Sequence, residues 1–176
     1  MIDTIIGIDP GKTTGIAIKR MDAFNGTLTE VTSCALHRAF ALLAPYDRAT
    51  TLVVFEDARL REWYGTGEQA LYRKFIGNMP MTQQERHAYK GLLLGAGSVK
   101  RDCTIWEDYL IDEGFLFVAQ RPQAKRTKLK GDFFKRVTGY KARTNEHGRD
   151  AAMLIINLSK VWANGQARDL LQQRNR

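Results

Sequence analysis

Hydrophobic residues fall into short continuous runs in the first third of the chain and into spaced, helical repeats further on. Thr4 to Asp9 is an apolar run ending in an acid, Thr14 to Lys19 is a second β-rich run, and Pro10-Gly11-Lys12 supplies a turn between them, which predicts a hairpin. Thr27 to Cys34, with Leu28, Val31 and Cys34 set among threonines, predicts a third antiparallel strand. Ala35 to Ala44 reads as a short helix closed by Pro45. Thr51 to Glu56 (TLVVFE) is apolar for almost its whole length and also ends in a carboxylate, as a central strand covered on both faces would.

From Asp57 to Tyr89 the pattern breaks up around Gly65, Gly67, Gly77 and Pro80, which predicts a loop-rich insertion. From about Lys90, the residues Leu92, Ala96, Val99, Cys103, Trp106 and Leu110 recur at steps of four and three, one face of a long amphipathic helix that Gly114 ends. Phe115 to Ala119 predicts a fifth strand, and Phe133, Phe134 and Val137 mark a short basic helix closed by Gly139. His147 to Trp162 predicts the last helix, with Val161, Leu158, Leu154 and Ala151 on its core-facing stripe and only the tail from Gln172 polar enough to stay unfolded. Repeats and linkers are lacking, so a single domain over 1–176 is expected, an α/β fold with a mixed five-stranded sheet flanked by helices.

Composition narrows the partners. The net charge of +8 and the pI near 9.7 favour an anionic partner, nucleic acid before membrane surface. The N-terminus lacks a basic segment followed by a cleavable apolar run, and no apolar stretch approaches the roughly 20 residues that span a bilayer, so a soluble, cytoplasmic protein is expected. Cys34 and Cys103 lie far apart without metal-ligand spacing and read as small buried residues; His37 and His87 read as structural or surface residues.

The candidate chemistry begins with the last helix, whose apolar stripe runs back into Asp150 and His147, three residues apart and so projecting together. One reading is a helix cap, with Asp150 favouring the N-terminus through the dipole and His147 bonded to backbone. The other brings in Asp9 and Glu56 from their strand ends, with Asp57 as the alternative to Glu56 because neighbours in a strand face opposite ways. Three carboxylates and an imidazole on one sheet edge need a counter-charge, and oxygen-rich sets of this kind hold Mg²⁺ or Mn²⁺ for phosphoryl transfer.

These residues sit in recognisable motifs. Gly7-Ile8-Asp9-Pro10-Gly11 followed by Thr14-Gly15, the strand TLVVFE ending in Glu56, and Asn145-Glu146-His147-Gly148-Arg149-Asp150-Ala151-Ala152 together resemble, in order, the motifs of the RuvC family of Holliday-junction resolvases. The resemblance implies a ribonuclease-H-like fold, with Asp9, Glu56, His147 and Asp150 as the catalytic, metal-binding set for two Mg²⁺ ions, Mn²⁺ substituting. It also implies a homodimer making paired nicks across four-way or branched DNA that leave 5′-phosphates; a branch-migration partner is left open. Gly91, Gly95 and Ser98 on the long helix offer either a dimer seam or ordinary packing inside the subunit.

A basic field leads into this set: Lys125, Arg126, Lys128, Lys130, Lys135, Arg136, Lys141 and Arg143 stand against only Asp132 and Glu146 between Arg121 and Arg149, and Lys12 follows Asp9. Such residues are expected to contact DNA phosphates. In the insertion, Arg59, Arg61, Trp63, Tyr64, Tyr72, Arg73, Lys74 and Phe75 interleave basic and aromatic groups that stack on unpaired bases or pack locally. Two rival functions remain, a branched-DNA-binding module that does not cut and a related nuclease that processes RNA.

Overall fold

A computed structural model describes residues 1–22, 26–61, 66–122 and 128–174. Five strands, β1 (Thr4–Asp9), β2 (Thr14–Arg20), β3 (Thr27–Cys34), β4 (Thr51–Glu56) and β5 (Leu116–Gln120), form one mixed sheet in the order β3-β2-β1-β4-β5. The β1–β2 and β2–β3 pairs are antiparallel, whereas β1–β4 and β4–β5 are parallel. The short turn after β1 permits the hairpin; a parallel partner needs a crossover, supplied before β4 by β2, β3 and α1 (Leu36–Leu43) and before β5 by α2 (Thr66–Ile76) and α3 (Gln83–Asp112).

Strand alternation divides the core into two layers. Ile6, Ile8, Ile16, Ile18, Val53 and Phe55 point to the face covered by Ala39 and Leu43 of α1 and by Cys103, Trp106 and Leu110 of α3. Trp106 is fully buried there, edge-on to Phe40 at 4.8 Å, while Phe40 stacks on Tyr109 at 4.1 Å. Ile5, Ala17, Leu52 and Val54 point to the opposite face, covered by α4 (Gly131–Thr138), α5 (Glu146–Ile155) and α6 (Lys160–Arg174) through Phe134, Ala151, Ala152, Ile155 and Ala163. Each large side chain buried in this way contributes roughly 1.5–3 kcal/mol.

The strands and α4 follow the expected pattern, and Gly139 closes α4 in the left-handed conformation, φ 70°. Several expectations need correction. The stretch 57–89 is not loop-rich: it holds a 3-10 turn at Ala58–Leu60, all of α2 and the first turns of α3. α3 starts at Gln83 because Thr82 and Glu85 form a reciprocal capping box. The last helix is two helices, α5 ending at Ile155 and α6 starting at Lys160, where the Ser159 hydroxyl accepts from the Trp162 amide at 3.2 Å. Val161 is therefore 85% exposed and not in the core, and the polar tail from Gln172 is helical through Arg174. Cys103 is buried and Cys34 only half-buried, both as free thiols, and His37 and His87 are exposed. No helix among the described residues is long and apolar enough to cross a membrane.

Candidate active site

The site is built by bringing α5 very close to the sheet. A Cβ on Gly15 would sit 2.0 Å from the His147 carbonyl oxygen, and one on Gly7 would sit 2.3 Å from that of Ala151. Only glycine leaves room for the helix backbone at these two strand positions. Gly15 pairs with Asp9 across the hairpin, so His147 lies above the C-terminal end of β1. Asn145 caps α5, its side-chain oxygen accepting from the Gly148 amide at 2.9 Å, while its amide group meets the Ser33 hydroxyl. Arg149 ties the segment before α4 to α5 by donating to the Leu129 carbonyl at 2.7 Å.

Capping is thus done by Asn145, and the helix-cap reading of His147 and Asp150 falls. The His147 ring turns instead to the strand: its Nδ1 lies 3.1 Å from Oδ2 of Asp9. Asp150 sits past the first turn of α5, where the dipole's effect has faded. Asp9 feels Asp150 and Glu56 as like charges. The Asp9 carboxyl is raised to about 6, mainly by burial and further by the charges of Asp150 and Glu56, with the His147 bond opposing them.

Strand phase separates Glu56 from Asp57. Glu56 continues the face of Leu52 and Val54, which is the face of α5, and pairs with Gln120 of β5. Asp57 turns the other way and is only 2% exposed. The Arg59 guanidinium meets it through Nη2 at 2.7 Å and Nε at 2.9 Å, the Arg59 amide donates at 2.9 Å, and Arg59 reaches on to Glu107 of α3 at 2.7 Å. Although burial opposes it, these Arg59 bonds hold the Asp57 carboxyl below the usual range. Asp57 is a neutralised structural acid; Glu56 is the acid that acts on Asp9.

Asp9 and His147 touch, and Asp150 and Glu56 act on Asp9 through space. Among the described residues, no three acid, imidazole or thiol groups are gathered closely enough to surround a cation. The chemistry of the donor set nevertheless fits a hard divalent ion: three carboxylates and one imidazole at a sheet end, with one carboxyl pushed up by burial and by its two acidic neighbours.

Lys128 of the expected basic field acts on the acids of the site. Its ammonium pairs with Glu146, which raises its pKa, and it also feels Asp150 and Asp9. Lys12, Lys130, Lys135, Arg136, Lys141 and Arg143 are all exposed, while Lys125 and Arg126 lie outside the described residues, as do Trp63 and Tyr64. Of the interleaved set, Arg59 is committed to Asp57 and Glu107, Lys74 pairs with Glu85, and Phe75 packs on Tyr89 with ring centroids 4.9 Å apart. A cleft of about 640 Å³ opens between Glu56, Arg61 and Pro122 on one side and Leu92, Ala96 and Val99 of α3 on the other. Gly91 and Gly95 have nothing within 4 Å of a would-be Cβ, so they do not pack inside the subunit.

The close packing of α5 was legible only as a hint, in the small residues Gly7, Gly15, Gly148, Ala151 and Ala152 on facing elements. No protein-family model and no curated protein matches the chain.

Proposed function

We propose that the protein is a metal-dependent, structure-selective DNA endonuclease with a ribonuclease-H-like fold, related to the RuvC resolvases and acting on four-way or branched DNA. The observation that carries this reading is the His147–Asp9 contact at 3.1 Å, which joins the helix motif to the first-strand motif with Glu56 and Asp150 acting on the same carboxyl. Asp9, Glu56, Asp150 and His147 would hold Mg²⁺, with Mn²⁺ as a substitute. Bound there, the metal would supply Lewis acidity to activate water and stabilise the leaving oxygen. The chain's own contribution is to orient these groups: Gly7 and Gly15 fix the height of α5 above the sheet, and Asn145 fixes its start.

The exposed Lys12, Lys130, Lys135, Arg136, Lys141 and Arg143 would hold the phosphodiester backbone, and Lys128 would meet phosphate beside the acid cluster. A homodimer suits a two-fold-symmetric junction that needs paired cuts. The open Gly91 and Gly95 and the exposed Leu94 of α3 offer a surface for it. Incubation with end-labelled four-way DNA, duplex DNA and structured RNA, each with Mg²⁺ and with EDTA, tests the proposal. Paired nicks in the four-way DNA that EDTA abolishes are expected. Binding without nicks supports a non-cleaving module, and cleavage confined to RNA supports an RNA-processing nuclease.

A further inference from the structure

Lys19 is the sixth of the seven residues in β2, where a lysine ordinarily reads as the solvent-facing member of an alternating strand, yet it is only 1% exposed. Its side chain shares a face with Gly15 and Ala17, beneath α5. The ammonium donates to the carbonyls of Ile156 and Leu158, each at 2.8 Å, and approaches that of Ile155 at 3.5 Å. The last carbonyls of a helix have no amide of their own to accept from, and they carry the negative end of its dipole. α5 has no basic residue in its own last turn, so this cation comes from the strand below. Burial lowers the Lys19 pKa and Asp22 opposes that effect, while the carbonyls satisfy the donors.

The geometry makes this more than a local cap. β2 runs beneath α5 from Gly15, which touches His147, to Lys19, which holds the end of the helix. Four strand steps cover about 14 Å. The nine helical steps from His147 to Ile156 cover about the same distance. Between these ends the contact surface is small: Gly15 and Ala17 below, Gly148, Ala151 and Ala152 above. Such a smooth track sets the height of the helix; Leu154 and Ile155 are the larger side chains it buries, and the Lys19 bonds add a directional hold at that same end against sliding along the axis.

We propose that Lys19 is a positioning residue: by clamping the C-terminal carbonyls of α5 it fixes the helix axially and so sets His147 and Asp150 in register with Asp9. The consequence for cleavage rests on the nuclease reading above, but the clamp itself does not. Lys19 lies at the far end of α5 and touches neither the acid cluster nor the basic surface.

The test compares the full-length chain with Lys19→Met, which keeps the stem and removes the donors, and Lys19→Gln, which is shorter and neutral but still donates. Amide hydrogen exchange, the ¹⁵N shifts of the His147 ring, four-way-junction affinity and the single-turnover cleavage rate at saturating Mg²⁺ are measured for each. In Lys19→Met, amides of the last turn of α5 should exchange about tenfold faster. The His147 ring shifts should move and junction affinity should stay at the wild-type value, with cleavage falling about 100-fold, as misplacement by an ångström can produce. Lys19→Gln should fall between the two. Wild-type cleavage and ring shifts in a folded variant whose α5 exchanges faster would overturn the proposal, leaving Lys19 a stabilising group only. Unchanged exchange, or failure of both variants to fold, would overturn it too, because positioning requires a fold that survives loss of the clamp. A wild-type protein that cuts no substrate, with the exchange and ring-shift differences intact, would instead sink the nuclease reading and leave the clamp standing.

Discussion

α5 and α3 cover opposite faces of the same sheet by opposite means. α5 has 10 residues, and Gly148, Ala151, Ala152, Leu154 and Ile155 are all buried. α3 has 30 residues, yet only Cys103, Trp106 and Leu110, in its final third, are buried. The short helix is held by backbone-to-backbone proximity, with Gly7 and Gly15 beneath it and Lys19 at its end. The long one is held on the sheet by bulky side chains at one end, while its first half meets α2 through Glu85 and Tyr89 and leaves Leu94 67% exposed. Helix length therefore says little about which helix the fold depends on. The candidate chemistry sits on the helix whose position has the least slack.

That contrast can be broken from either side. The largest effect is expected from Gly15→Ala, whose methyl would meet the His147 carbonyl at 2.0 Å, a backbone atom that cannot rotate away. Urea denaturation should show a loss of about 3 kcal/mol or more, with cleavage lost in parallel. A folded Gly15→Ala protein of wild-type stability would mean that α5 packs more loosely than described.

Asp57→Asn should come next, at about 2 kcal/mol, because it removes the buried carboxylate that Arg59 holds and leaves the half-buried guanidinium with Glu107 alone. Glu56→Gln should leave stability nearly unchanged while abolishing cleavage. The reverse outcome would exchange the roles assigned to these neighbours.

Asp9→Asn acts in the opposite direction. The folded carboxyl sits near 6 against an ordinary value near 4, so the folded state binds the proton more tightly than the unfolded one. Stability then falls as pH rises from about 4 through about 6, and the penalty is complete above that range. Replacing the acid should raise stability at pH 7.5 by on the order of 1–2 kcal/mol and do little at pH 3.5. Thermal melts at the two pH values check this; a variant destabilised at neutral pH would show that His147 more than compensates the charge.

The smallest effect belongs to the open helix. Gly95→Ala in the exposed half of α3 should stabilise the monomer by no more than about 1 kcal/mol through helix propensity alone. A sedimentation measurement on the same variant sharpens the comparison: if Gly95 lies in a close helix-to-helix seam between two copies, the added methyl should weaken the dimer.

The parts of the fold that the sequence made legible are those with strict periodicity and a clear stop. β3 ends where its threonine-rich pattern ends, and Gly139 closes α4 by adopting a backbone conformation that favours glycine. The stretch 57–89 misled because Gly67 and Gly77 sit inside or just after α2, and glycine density outweighed the Thr82–Glu85 capping box that was also there to be read. The α5–α6 break does not show in the apolar pattern because Leu158 and Val161 keep the helical spacing of Leu154 across it, so the repeat carries straight through the gap between the two helices. For the site, Asp9, His147 and Asp150 were visible as acids and an imidazole in unusual apolar company. Glu56 could be separated from Asp57 only by the phase of β4 and the capture of Asp57 by Arg59. Lys19 was hidden because its partners are backbone carbonyls, which every sequence possesses.

The His147–Asp9 contact joins residues 138 positions apart, and the bond from the Ile2 amide to Asn164 spans 162. During synthesis, β1 and β2 are made well before the helix that completes the cluster. A nascent or truncated fragment ending before Glu146 carries the first-strand acid with no imidazole to meet it. Contacts of such long range close late and slowly. Whatever reactivity the cluster has is thus withheld until α5 has been made and has docked on the sheet.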